Sequence, residues 1–257
     1  MRAVLLLYLA AVFVFVFAPI VASIVFSFNS DRFPTIPLGS FSMEWYVKAF
    51  SDEGVWVAFK NSLIVSVCAA SLSTFIGFAT AYTDYRYGFR FKGAYIALAL
   101  LPPTVPLIIL ALAMLAWLSQ LGLSGTLTGI VIAHTVLGAP FAMAVTRLRL
   151  SQMDPSLEAA AWNLGASEWS AMRHVILPFC LPAILSAFCL TAAVSFDEFA
   201  VAWFVSGLNK TVPVMILEIL QGNVDPRINA IGTVVFLTSM TLVIAAQLLL
   251  MAKGKST

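Results

Sequence analysis

The stretch LEAAAWNLGASEWSAMRHVILP, Leu157–Pro178, decides how the rest of the chain is read. It is the longest polar interruption with helix-forming character between segments of membrane-grade hydrophobicity. Asp154-Pro155-Ser156, just ahead of it, is a helix start. An Asp side chain caps exposed amides, and Pro suits the first turn, where its missing N–H is no loss. Glu158 places a negative charge in that turn, where the helix dipole favours it. Ala159, Ala160 and Ala161 are strong helix formers with almost no side chain, so their face can lie close against another surface. Gly165 ends the run as a C-cap. Ser167 caps a second short helix carrying Glu168, Trp169, Met172 and Arg173, and Leu177-Pro178 marks entry into the next apolar segment. The pattern reads as helix, glycine turn, helix: a short elbow on the membrane surface. An ordinary inter-helix loop fits the same residues, and physical chemistry alone leaves both open.

Outward from the elbow the chain is apolar. Of its 257 residues, 61% are hydrophobic and 10% charged, against roughly 25% charged in soluble domains. No soluble core hides that much apolar surface, so an all-α membrane protein facing lipid is expected. The net charge of +2 is too small to indicate nucleic acid. Cys68, Cys180 and Cys189 lie in or beside apolar segments and read as small core residues, not as a metal set or disulfides.

Six spans are expected, at about 4–28, 61–82, 94–118, 125–147, 179–204 and 229–251, in a single membrane domain with the elbow inside a polar loop at 148–178. Arg2 and the apolar run after it imitate a signal peptide. The run is about twice as long as a signal-peptide core and lacks a convincing cleavage site, which makes it an uncleaved first helix. Between the first two spans, Phe41–Phe50 sets Trp45, Tyr46, Ala49 and Phe50 on one side, as in an interfacial helix with aromatic anchors, capped by Ser42; a plain loop is the alternative. Ser73, Gly77 and Ala81 recur every fourth residue, a small-residue stripe for close helix packing. Gly125 and Gly129 repeat that spacing weakly in the fourth span, where Pro140 is a kink. Pro102, Pro103 and Pro106 break the hydrogen-bond ladder of the third span. The break is either a bend beside a translocation path or a structural kink. His134 lies inside the fourth span. A lone His in a bundle is usually bonded to a neighbour, so it is not nominated as a ligand.

The elbow resembles the cytoplasmic EAA loop of the inner-membrane permease subunits of bacterial ABC importers. That loop runs Glu-Ala-Ala, three residues, Gly, nine residues, Ile, one residue, Leu-Pro. Gly165, Val175, Leu177 and Pro178 fit it, with Val for Ile. The position of the motif's Glu falls on Ala159, and Glu158 stands one place early. The resemblance implies a MetI-like importer bundle of six transmembrane helices with a coupling helix that docks in a groove of an ATPase. The residues implied in coupling are Glu158, Ala159, Ala160, Ala161, Gly165, Ala166, Ser167, Leu177 and Pro178. It also implies a non-catalytic chain in the bacterial inner membrane. A second permease subunit, a cytoplasmic ATPase dimer and a periplasmic solute-binding protein complete the machine. ATP and Mg belong to the ATPase, and this chain needs no cofactor. Gly254-Lys255-Ser256 mimics the end of a phosphate loop, but Leu249 stands where its first Gly belongs and no strand precedes it. Placing both termini, the 84–93 loop and the elbow in the cytoplasm puts Arg2, Arg86, Arg90, Lys92, Arg147, Arg149, Arg173, Lys253 and Lys255 inside, as the positive-inside rule requires.

Asp197 and Glu198 fall within the expected fifth span. Acids inside a membrane are costly and face a cavity or a partner. Adjacent residues diverge by about 100° on a helix, so the two cannot face one groove equally. Either they line a path for a cationic solute, with Phe196, Phe199 and Trp203 supplying cation–π contact, or the helix is already ending and they are solvated or paired with Lys210. The whole chain is similar to spermidine/putrescine-type permeases, from Phe28-Asn29-Ser30 and Trp45-Tyr46 to Asp197-Glu198 and Ala246-Gln247-Leu248. Those carry an acidic pair at this place, and tend to carry an acid where Thr104 stands here. Permeases for aminoethylphosphonate, opines or ferric ion share much of the pattern. An ion-coupled secondary transporter is a further alternative, against which stands the lack of a repeated pair of interrupted segments.

Overall fold

The computed structural model describes residues 2–33, 35–222 and 225–252. Their elements are helices joined by turns, with an isolated bridge between Asn29 and Phe41. In chain order these are α1 (Arg2–Ser27), α2 (Glu44–Phe50), α3 (Glu53–Arg86), α4 (Lys92–Ala99), a 3-10 turn at Pro102–Thr104, and α5 (Leu107–Gln120). Then come α6 (Leu127–Leu150), α7 (Pro155–Asn163), α8 (Glu168–Ala171), a π-turn at Met172–Ile176, and α9 (Leu177–Asp197). The chain ends with α10 (Ala200–Val205), α11 (Val212–Gly222) and α12 (Arg227–Ala252). Lys253, Lys255 and the phosphate-loop mimic lie outside the described residues.

By length and composition, five helical stretches can cross a membrane: Val4–Ser27, Glu53–Arg86, Leu127–Leu150, Glu168–Asp197 and Arg227–Leu248. The third expected span differs. The helix stops at Ala99 and restarts only at Leu107, because three prolines in five residues remove backbone donors and crowd the preceding carbonyls. Thr104 spends its hydroxyl on the Leu101 carbonyl at 2.6 Å, supplying one partner that the broken ladder lacks.

The chain divides into two compact units, 1–59 with 212–237 and 60–211 with 238–257. In the first, Ala49, Val55, Ala58, Val212 and Ile231 form the core. The aromatic face of α2 points into this unit, where interfacial anchors were expected. Trp45 is buried and donates its indole N–H to the Asn29 carbonyl at 2.6 Å, and the Tyr46 hydroxyl meets Ser27 at 2.8 Å. The indole and phenol thus find protein partners instead of lipid headgroups. Arg227 reaches Asp52 at 3.0 Å and Asp225 at 2.7 Å. The N-terminal part of α1 is apolar all round and exposed, as a lipid-facing or partner-facing helix must be.

In the second unit α6 is the central helix, packed on α9 and on α3. The contact with α3 follows from small residues. A Cβ on Gly77 would lie 2.5 Å from the backbone N of Met143, and one on Gly138 would lie 2.5 Å from Ser73 Oγ. Ser73 itself donates to the Thr135 carbonyl at 3.3 Å. The Gly125/Gly129 spacing has another cause. Gly125 precedes α6 in a turn with φ of +77°, so it is not on a helical stripe, and Thr126 caps the helix by accepting from the Gly129 amide.

Candidate functional site

Two places bring the predicted residues together: the elbow, and the junction of α9 with α10. At the elbow, Asp154 accepts from the Ser156 amide at 2.9 Å, and Pro155 fills the first turn of α7. That backbone hydrogen bond, the largest influence on it, holds the Asp154 carboxyl below the usual carboxylate range. The far end of α7 is a Schellman closure. Ala166 N–H bonds the Ala161 carbonyl at 3.0 Å, Gly165 N–H bonds the Trp162 carbonyl at 2.9 Å, and Gly165 holds φ of +83°. Ser167 Oγ caps α8 by accepting from Ser170.

The second limb of the elbow is not a separate surface helix. It runs through the π-turn into α9 as one continuous stretch, Glu168–Asp197. Pro178 explains the π-turn. Its ring lacks the N–H for an ordinary turn and crowds the carbonyl four residues back, so the backbone widens and Leu177 N–H reaches the Met172 carbonyl instead.

Glu158 points inward. Its side chain is 9% exposed and lies 3.3 Å from Arg86 Nε at the end of α3. Standing one place early turns it about 100° from the motif position, toward the protein, while Ala159 and Ala160 stay exposed. Arg86 also meets Glu168 at 3.5 Å and stacks over the Trp162 ring at 4.7 Å, so one guanidinium ties both limbs of the elbow to α3. Nearby, Asp84 gathers Arg147 at 2.6 Å and Lys92 at 3.3 Å. The outward elbow surface is apolar: Leu157, Trp162, Leu164 and Trp169 are exposed, Leu164 at 89% and Trp169 at 71%. Gly165, Ser167 and Pro178 are exposed beside them, and Ala161, Ala166 and Leu177 are half-buried.

At the second place α9 ends on Asp197, and Glu198 takes an extended backbone, with ψ of 122°. The two acids therefore do not share a continuous helix, as the expected span 179–204 required. The helix does end here, as one of the two expectations had it, and the acids then differ: Glu198 is bonded within the chain and Asp197 is exposed. Glu198 accepts from the amides of Val201 and Ala202, each at 2.9 Å, and lies 3.3 Å from His134 Nε2. Asp197 is exposed as a residue and accepts from Ser239 at 2.7 Å. Phe196 is fully buried and Trp203 is half-buried against Phe199, with ring centroids 5.9 Å apart. Buried in its own chain, Phe196 presents no open ring face to a solute. Thr104 is exposed and shares no hydrogen bond or ion pair with either acid among the described residues.

Residues 73–253, the helices of this second unit and the elbow among them, match the family model of the binding-protein-dependent transport system inner membrane component. The chain belongs to that family. As such an inner-membrane component it is a multi-pass permease subunit of an ABC importer. It is 32% identical over 243 residues to the spermidine/putrescine transport system permease protein PotC of Haemophilus influenzae, covering 94% of each chain. It is 31% identical over 233 residues to the putrescine transport system permease protein PotI of Escherichia coli, covering 87% of this chain and 82% of that one. Its fold matches a bacterial ABC transporter involved in the import of the acidic polysaccharide alginate, with a TM-score of 0.76, 17% identity, and coverage of 100% of this chain and 96% of that one.

Sequence reasoning left two partners of this permease unassigned: His134, which meets Glu198, and Arg86, placed only among the loop cations. A His in an apolar helix and an Arg beside an elbow were visible signals, but neither names its partner. The Arg86 contacts carry a prediction. Arg86→Ala strands a nine-tenths-buried carboxylate, at a cost of about 1–3 kcal/mol. The purified chain is expected to melt several degrees lower, and Glu158→Gln in the same chain should recover most of the loss. A double variant no more stable than Arg86→Ala would show that the pair does not hold the elbow.

Proposed function

We propose that this chain is one half of a heterodimeric, ATP-driven import path for a polyamine such as spermidine or putrescine. The observation that carries it is an exposed acid, Asp197, at a helix break in a chain about one-third identical to the polyamine permeases PotC and PotI over most of its length. In this reading a second permease subunit completes the path, and a cytoplasmic ATPase dimer, holding ATP and Mg, grips the apolar elbow surfaces. A periplasmic protein delivers the solute, and both termini lie in the cytoplasm. Closure of the ATPases pushes Ala159–Gly165, and the continuous run from α8 into α9 carries the push toward Asp197. A rigid helix is a suitable carrier because its backbone bonds are all internal.

A second solute class, aminoethylphosphonate, is favoured by Thr104, which stands where the polyamine permeases tend to have an acid. The 28% identical putative 2-aminoethylphosphonate permease PhnV of Salmonella typhimurium fits the same reading. Liposomes holding the whole complex distinguish these readings. Uptake of labelled spermidine that needs ATP and survives a protonophore is the expected result. Uptake of aminoethylphosphonate in its place moves the solute assignment. Accumulation without ATP that collapses with the proton gradient overturns the importer reading. A reporter fused after Lys255 should be active in the cytoplasm.

A further inference from the structure

His134 lies in the first third of α6, with its side chain 1% exposed. Its Nδ1 lies 2.8 Å from Ser195 Oγ on α9, and its buried Nε2 faces Glu198 Oε2 at 3.3 Å, a close approach outside hydrogen-bond geometry. A carboxylate beside Nε2 favours a proton there, which leaves Nδ1 to accept from the Ser195 hydroxyl. Glu198 then uses both oxygens at once: Oε1 takes the Val201 amide, while Oε2 takes the Ala202 amide and faces His134. Its side chain is 8% exposed. A carboxylate so engaged and enclosed has little capacity left for a passing cation. Asp197, one residue earlier, is exposed, and among the described residues its carboxylate takes a single hydrogen bond, from Ser239.

The break itself needs such a device. Between Asp197 and Ala200 the helix loses its ladder, and unpaired amides in a membrane bundle cost several kcal/mol each. Glu198 satisfies two of them. The other end of α10 is held separately: the Val205 carbonyl accepts from Gly125 N–H, and Asn209 bonds the Gly125 carbonyl at 2.7 Å.

We propose that His134, Ser195 and Glu198 form a buried clamp that fixes the break between α9 and α10, so that Glu198 is a positioning residue and Asp197 is the acid presented to the solute. The split between the two acids rests on the cationic-solute reading above; the clamp does not.

The test uses the whole complex in liposomes with spermidine as probe. Asp197→Asn raises KM about tenfold or more with the maximal rate nearly kept, the signature of lost ground-state binding. Glu198→Ala and His134→Ala lower the maximal rate about tenfold with KM within about twofold, and His134→Gln, which keeps a donor toward Glu198, recovers most of it. Glu198→Gln raising KM as far as Asp197→Asn does, with the His134 variants harmless, overturns the proposal. A second readout needs no solute. Val201 is fully buried, so Val201→Cys, with Cys68→Ala to remove an exposed thiol, reports opening by its rate of maleimide labelling in membranes. Glu198→Ala and His134→Ala should accelerate labelling about fivefold or more, and His134→Gln should restore the slow rate, since local opening follows the stability of the closed contacts. Equal rates in all variants overturn the clamp. A parent complex that takes up no spermidine overturns the solute reading and leaves labelling to decide the clamp.

Discussion

A chain carrying Gly165→Val is expected to reach the membrane and yet lose ATP-dependent uptake almost entirely. Gly165 sits at φ of +83°, and a Cβ there would meet nothing within 4 Å. The penalty is therefore in the backbone alone. The left-handed region is open to Gly, tolerated by Asn and strongly disfavoured for a β-branched residue. Strain of this kind costs about 1–3 kcal/mol at one residue, enough to open the Schellman bonds at Ala161 and Trp162. What moves is the end of α7 and the direction of Leu164, the most exposed apolar side chain of the elbow. On the coupling proposal the ATPase would then meet a surface pointing the wrong way, while the bundle, which does not depend on this turn, should stay folded. Uptake should fall in the order Gly165, Gly165→Asn, Gly165→Ala, Gly165→Val, with nearly equal amounts of protein in the membrane. Full uptake by Gly165→Val would remove the elbow from the coupling step.

Gly77 fails in the opposite way. A Cβ there would lie 2.5 Å from the backbone N of Met143, 2.6 Å from the Ala142 Cβ and 2.8 Å from the Ala142 carbonyl carbon. Backbone atoms in a helix cannot step aside as a side-chain tip can, so α3 and α6 must separate. Gly77→Ala is expected to cost about 1–3 kcal/mol, and Gly77→Leu to exceed what the fold can absorb, since whole-domain stability is only about 5–15 kcal/mol. Detergent extracts of Gly77→Leu should show aggregated or absent protein by size exclusion. Gly93 is the control: it is in a helix, and an added methyl group would meet nothing within 4 Å, so Gly93→Ala should be neutral or gain a few tenths of a kcal/mol. Equal behaviour of Gly77→Leu and the parent chain would mean that the small-residue stripe does not set the distance between these helices.

Much of this was legible in the order of residues, because it depends on neighbours within a turn or two. Asp154 and Ser167 cap because their side chains reach amides two and three residues on. Gly165 stops α7 because it alone of the local residues takes a positive φ without strain. Pro102, Pro103 and Pro106 break the third span wherever they are put, and the spacing of Ser73, Gly77 and Ala81 places them on one helical face. The five long apolar helices, and the broken span between the second and third of them, follow from composition and length in the same way.

The inward turn of Glu158, the end of α9 at Asp197 and the enclosure of Glu198 belong to the tertiary structure. Their causes are distant: Ser195 meets His134 across 61 residues and Asp197 meets Ser239 across 42. Whether a buried carboxylate serves the fold or a solute depends on which donors surround it, and in one dimension Asp197 and Glu198 are merely adjacent acids. Residue order determined a membrane bundle with a capped helix–glycine turn–helix elbow, since hydrophobicity, caps and prolines act locally. Only the packed chain decided which acid is held by two amides beside His134 and which stays exposed, because partners are chosen by proximity in space.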